Sequence, residues 1–286
     1  MPVQWSQYGE NGQYSQYSET VLAVLAVLAV LAGLDMIELT NIHKAFKGHA
    51  VLKGLDLTIP RGKITVIIGP SGSGKTVLLR HIIGLMKPDR GRVKVDGVDI
   101  SRLGERELTD FRRRFGMLFQ NAALFDSLSV NENVAFPLIE SSRGLPTPDV
   151  GRIVKEKLRL VGLAEAGEQM PSELSGGQRK RVGLARAIVL KPAIILYDEP
   201  TTGLDPIMTL AIDNLILSMQ KELRVTSIVI SHDIDSAFRV ADQIAMIHDG
   251  RIVECAAPGE FRRSKNPVVR DFLDAGGRGD IRGNTG

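Results

Sequence analysis

The chain has 286 residues, 43% of them hydrophobic and 24% charged, the balance of a globular protein and not of a disordered or fibrous one. Its 36 Lys and Arg against 33 Asp and Glu leave a net charge of +3, too even to imply a nucleic-acid partner. The single cysteine, Cys255, excludes an intrachain disulfide and a Cys-rich metal site.

Residues 1–35 read as a low-complexity leader. Met1 to Thr20 is polar, rich in Tyr, Gln and Ser, and carries no Lys or Arg. Val21 to Leu34 is an apolar run on a Val-Leu-Ala repeat, shorter than the roughly 20 residues that cross a bilayer and without a signal peptide's basic flank. An interfacial helix, a helix docked on a partner and a dispensable leader are the three readings, with the last favoured because Met36 opens a clean strand pattern. Removing residues 1–35 is then expected to leave activity and membrane recruitment intact.

From Met36 onward the pattern is regular. Ile37 and Leu39, then Leu55, Leu57 and Ile59, alternate with polar residues as half-buried strands do. Phe46 lies between these runs, either a core aromatic or a platform that stacks on a base. Lys63 to Ile68 is a short apolar run rich in β-branched residues, read as a buried strand. It leads into Gly69, Pro70, Ser71, Gly72, Ser73, Gly74, Lys75 and Thr76, a G-x-x-x-x-G-K-T loop. The glycines allow backbone N–H groups to converge on phosphate oxygens, Lys75 adds a point charge, the Thr76 hydroxyl suits Mg²⁺, and the following helix presents its positive N-terminus.

Glu105 to Arg113 reads as a helix. Gly116 to Phe119 reads as a buried strand ending at Gln120, which puts a polar side chain where parallel sheets bind ligands. Residues 121–173 show helical patterns over Val130–Leu138 and Val150–Val161 and no strand run. The basic triplets Arg112-Arg113-Arg114 and Arg179-Lys180-Arg181 read as solvated helix faces. Leu174-Ser175-Gly176-Gly177-Gln178 opens the next helix with an N-cap serine and exposed backbone N–H groups, a second anion-binding terminus. Ala193 to Tyr197 is an apolar strand with Asp198 and Glu199 at its end. The first carboxylate suits Mg²⁺ and the second can take a proton from an attacking water. Asp205-Pro206 turns into a helix running to about Leu223. Strand Thr226–Ile230 ends at Ser231-His232, and Asp249-Gly250 closes a hairpin.

The ordered set resembles the nucleotide-binding subunits of ABC transporters, from about Met36 to Leu273. Gly69–Thr76 matches that family's Walker A, Phe46 its adenine-stacking aromatic, Gln120 the Q-loop and Leu174–Gln178 the signature. Asp198-Glu199 matches the Walker B pair, Asp205 the D-loop and His232 the switch histidine. The fold implied is α/β: a P-loop NTPase (RecA-like) core with a mixed sheet, an antiparallel β subdomain and an inserted helical subdomain at about 121–173. The domain would span 36–273, followed by a flexible tail, 274–286.

The resemblance implies ATP and Mg²⁺ as cofactors. Glu199, His232 and Gln120 are then catalytic. Phe46, Gly69–Thr76, Ser175, Gly176, Gly177, Gln178 and Asp205 bind nucleotide, and Thr76, Gln120 and Asp198 attend the metal. Two copies would pair head to tail, each ATP lying between one P-loop and the other copy's signature, beneath a membrane permease that docks near Gln120. Met117–Asp126, Asn133–Leu138 and Met170–Glu173 are similar to the ATPases of Mce-type phospholipid transporters, which maintain lipid asymmetry between the inner and outer membranes of a Gram-negative envelope. An Mce-type lipid-binding protein and a station on the cytoplasmic face of the inner membrane follow from that likeness, and no nucleic-acid partner is expected. The alternatives are an ATPase for a solute importer or an organic-solvent exporter, a degenerate regulatory module, and a translation-type factor. A GTPase is disfavoured by the lack of an Asn-Lys-x-Asp sequence.

Overall fold

The computed structural model describes residues 35–141 and 150–277. The leader at 1–34, the Pro-rich link at 142–149 and the end of the tail lie outside the described residues.

Two sheets carry the domain. In the first, β1 (Asp35–Phe46) and β2 (His49–Pro60) form a hairpin closed by Lys47 and Gly48, both at positive φ. β4 (Arg90–Val95) and β5 (Val98–Asp99) complete an antiparallel sheet in the order β2-β1-β4-β5. In the second, the order is β10-β9-β3-β8-β7-β6. Here β3 is Ile64–Ile68, β6 Phe115–Leu118, β7 Ile194–Asp198, β8 Thr226–Ile230, β9 Gln243–His248 and β10 Arg251–Ala256. The sheet is parallel from β6 to β9, and β10 returns antiparallel, so it is mixed as expected.

β3 and β8 are buried along their whole length, which is why they read as continuous apolar runs and not as alternation. On one side Ile64, Val66, Tyr197 and Val229 share a core with Leu184 and Ile188 of α5 (Gly176–Ile188) and Ile212 and Ile216 of α6 (Pro206–Leu223). On the other, Ile67, Leu196 and Ile230 meet Leu78 and Ile82 of α1 (Lys75–Ile82) and Leu39 and Ile59 of the antiparallel sheet. The two sheets are tied by the Lys53 N–H donating to the Gly250 carbonyl at 3.0 Å.

Two inferred helix starts are explained by their caps. The Ser175 hydroxyl accepts from the Gln178 N–H, and the Gln178 side chain accepts from the Ser175 N–H, a reciprocal pair that opens α5. Asp205 accepts from the Met208 N–H at 2.9 Å, with Pro206 in the first helical position of α6. The remaining helices are α2 (Glu105–Arg112), α3 (Val130–Ser141), α4 (Val150–Leu160), α7 (Ile234–Val240), α8 (Pro258–Phe261) and α9 (Pro267–Gly277). Among the described residues, segment 121–173 holds α3, α4 and a 3-10 turn and no strand, and no helix is long and apolar enough to cross a membrane.

The basic triplets are solvated faces only in part: Arg113 and Arg179 are exposed as their charge predicts, while other members turn inward. Lys180 is only 5% exposed. Arg112 donates to the Gly84 carbonyl at 2.7 Å, and Arg114 pairs with Asp96. Lys180, Arg112 and Arg114 each find backbone or carboxylate oxygen inside the fold, which offsets their desolvation.

Candidate active site

Strand order sets out the site. β8 lies between β3 and β7, with β6 beyond β7, all parallel. Loop 69–74, Ser231-His232, Asp198-Glu199 and Gln120 therefore leave one edge of one sheet, the edge where open α/β sheets bind ligands. Gln120 stands two residues beyond the end of β6, exposed in a turn, and not at the strand terminus expected.

The loop after β3 is built for close backbone approach. Gly69 has φ 149°, and a Cβ there would sit 2.1 Å from the Ile247 carbonyl oxygen, so no side chain fits without moving β9. Lys75 is 8% exposed, and its Nζ donates to the Gly69 and Pro70 carbonyls at 2.7 and 2.9 Å. Burial pushes its pKa below the ordinary lysine value, and the Glu199 and Asp198 carboxylates oppose that shift. Ser73 is buried with its hydroxyl lacking a protein partner, while Ser71, Gly72 and Thr76 are exposed.

Asp198 ends β7. Burial, and then the adjacent Glu199 carboxylate, push its carboxyl above the usual range; Arg80 and Lys75 pull the other way. Glu199 adopts a left-handed backbone, φ 50°, pinned by its N–H donating to the Ile230 carbonyl at 2.9 Å. A non-glycine residue at that φ is held by its surroundings. Its Oε2 accepts from the Thr202 hydroxyl at 2.8 Å and lies 2.9 Å from His232 Nδ1.

Phe46 is 42% exposed at the end of β1, outside either core. Its base is fixed by Asp89, which accepts from the Ala45 N–H at 2.7 Å and from Lys44 Nζ at 2.7 Å. Ser175 and Asp205 are exposed, Gly176 and Gln178 half-buried, and Gly177 buried where α5 meets α6. A Cβ on Gly177 would lie 2.1 Å from Met208 Cε. Within one chain the structure thus brings Lys75, Asp198, Glu199 and His232 to one sheet edge, while Ser175–Gln178 caps a separate helix end.

Three residues escaped sequence reasoning. Thr202 holds the Glu199 carboxylate. Lys180 Nζ donates to the Thr202 carbonyl at 2.7 Å and to the Glu199 carbonyl at 3.4 Å. Arg186 donates to the Ala122 and Ala123 carbonyls at 2.7 and 2.8 Å, just beyond Gln120. Ala122 and Ala123 both have positive φ, at 59° and 48°. Two consecutive left-handed alanines need such a clamp, and the only sequence signal was a basic residue seven positions after Arg179, two helical turns along the same face.

Several known proteins are similar to this chain. Residues 52–202 match the sequence profile described as "ABC transporter". The "Intermembrane phospholipid transport system ATP-binding protein MlaF" of Haemophilus influenzae is 42% identical over 248 residues, covering 87% of this chain and 94% of that protein. The "Probable ribonucleotide transport ATP-binding protein mkl" of Mycobacterium tuberculosis is 42% identical over 238 residues, and this chain spans 66% of its length. Among solved structures, the dimeric post-hydrolysis state of the ATP-binding cassette MJ0796, bound to ADP and Pi, superposes with a TM-score of 0.71 at 35% identity. That match covers 78% of this chain and 99% of the MJ0796 chain.

Proposed function

This chain belongs to the ABC transporter family, and from that premise we propose that it is the ATP-hydrolysing subunit of a phospholipid transporter. The observation that carries the hydrolytic part is the Glu199 carboxylate, held by the Thr202 hydroxyl and beside His232 Nδ1 on the sheet edge that bears the P-loop. A carboxylate fixed by neighbours but still 22% exposed suits a general base for an incoming water.

The nucleotide would lie along loop 69–76, with its base on Phe46. Lys75 exchanges its loop carbonyls for phosphate oxygens, and the unpartnered Ser73 hydroxyl fits the same anion. The donor set also fits Mg²⁺. Among the described residues no cluster of three or more His, Cys, Asp or Glu could hold a cation alone, so Thr76, Asp198 and Gln120 would share it with the phosphates. When bound, Mg²⁺ supplies charge neutralisation on those phosphates. Burial and the neighbouring Glu199 carboxylate raise the Asp198 carboxyl, and a cation there would favour its charged form.

Ser175–Gln178 would contact the ATP of a second copy paired head to tail, with Asp205 at the same junction. The atoms nearest a Cβ placed on Gly176 or Gly177 belong to Leu204, Arg179 and Met208 and none to the phosphate loop, which suits a site completed by a partner. Around Gln120 the aromatic rings of Phe119, Phe125 and Phe136 are 43%, 42% and 37% exposed, with the last two 4.7 Å apart. An exposed aromatic cluster of this kind suits a short apolar helix from an integral-membrane permease. The complex would stand on the cytoplasmic face of the inner membrane.

The phospholipid reading rests on the likeness to MlaF, which runs over 94% of that protein, where mkl is matched over 66%. An Mce-type lipid-binding subunit would complete the assembly. The test is to purify the complex from membranes, identify its subunits by mass spectrometry and measure ATP turnover with phospholipid vesicles. A solute-type permease, or turnover indifferent to lipid, would sink it.

A further inference from the structure

Helix α5 does more than present Ser175 and Gly177. One turn further along, Lys180 turns inward. It is 5% exposed, and its ammonium is spent on the carbonyls of Thr202 and Glu199. Thr202 in turn grips the Glu199 carboxylate with its hydroxyl. The helix is anchored at its start by the Ser175–Gln178 cap and wedged on Met208 through Gly177. A rigid rod therefore links the α5 N-terminus, Lys180, the 199–202 turn and the base.

We propose that Lys180 is a positioning residue that makes the geometry of Glu199 depend on how α5 is seated. This rests on the reading that each signature end contacts the partner's nucleotide. ATP on the partner then seats α5, Lys180 carries that movement to the 199–202 turn, and the base for the chain's own ATP comes into line. Two such links, one per copy, make the two sites cooperative without any contact between their nucleotides. The left-handed backbone at Glu199 makes this turn a suitable receiver, because a strained conformation persists only while its supports do.

The experiment uses the full dimer with its permease. In Lys180→Met, ATP binding stays within about twofold of wild type, kcat falls about tenfold, and the Hill coefficient for ATP falls toward about 1. A merely structural lysine lowers the melting temperature but leaves kcat per folded molecule and cooperativity in place, and that result overturns the proposal. Thr202→Val removes the last link while Lys180 stays, and the same two losses are expected. Should Lys180→Met not fold, unchanged turnover and cooperativity in Thr202→Val overturn the proposal equally. Glu199→Gln is run alongside. Normal turnover there removes the base on which both readings depend, whereas a dead Glu199→Gln with an unaffected Lys180→Met defeats the Lys180 link alone.

Discussion

His232 Nδ1 lies 2.9 Å from Glu199 Oε2. Nothing in the sequence joins them, since 32 residues separate a strand end on β7 from a strand end on β8. The parallel register that sets Asp198 beside Ile230 brings them together. Glu199→Gln keeps the shape and the Thr202 contact but cannot take a proton. It should bind ATP as wild type does and lose at least about a hundredfold in phosphate release. His232→Ala should lose about tenfold or more with nucleotide affinity retained, as measured with a fluorescent ATP analogue.

Lys75→Ala removes the buried ammonium from the phosphate loop. ATP affinity should fall about tenfold or more, because a charge-assisted contact is lost. Titration calorimetry or an ATP analogue reads this directly, and unchanged affinity would refute the role given to the loop.

Asp198→Asn separates stability from function. Burial and Glu199 raise the Asp198 carboxyl, so the folded state binds its proton more readily than the unfolded chain does. The cost to folding is absent at pH low enough to protonate both states. It grows as pH rises through the ordinary carboxylate value toward the raised one and is fully present above it. The nucleotide-free Asp198→Asn variant should therefore melt higher than wild type at pH 7, with the gap closing in acid, while Mg²⁺-dependent hydrolysis is lost. A variant that melts lower at pH 7 would contradict this.

Gly177→Ala pushes a methyl against Met208. Overpacking should cost about 1–2 kcal/mol in urea unfolding, since the thioether end is flexible and can give way. Pairing it with Met208→Ala should recover part of that loss, which a double-mutant comparison would read.

Phe136→Ala removes one ring of the exposed pair near Gln120 and leaves the contact of Arg186 with the Phe125 ring in place. Basal ATP turnover of the isolated subunit should stay within about twofold, while copurification with the permease drops sharply. Unimpaired copurification would move the docking surface elsewhere.

The elements best read from sequence were those whose local chemistry leaves no alternative. The apolar runs of β3 and β8, the Ser175–Gln178 box and the Asp205-Pro206 start each carry their own cause. What could not be read depends on partners distant in sequence. Lys180 sits in a run of three basic residues that reads as solvent-facing, yet its acceptors are 19 and 22 residues away on another turn. Arg186 reaches 63 and 64 residues back to Ala123 and Ala122. Charge type gives the capacity for such contacts, and only the packing of α5 on the sheet selects the oxygens. Gln120 shows the same limit on a smaller scale. The residue was identifiable, but the strand stops at Leu118, so its side chain is carried by a turn whose conformation depends on Arg186.

The reciprocal bonds between Ser175 and Gln178 form inside a single chain. The end of α5 is thus capped within one chain, and the head-to-tail pairing proposed above would require no refolding there. Assembly and release of such a dimer can then be quick in both directions, governed by encounter and by the nucleotide's charge. A pair of surfaces that need not fold to meet can also part without unfolding, which is what a motor must do once per stroke.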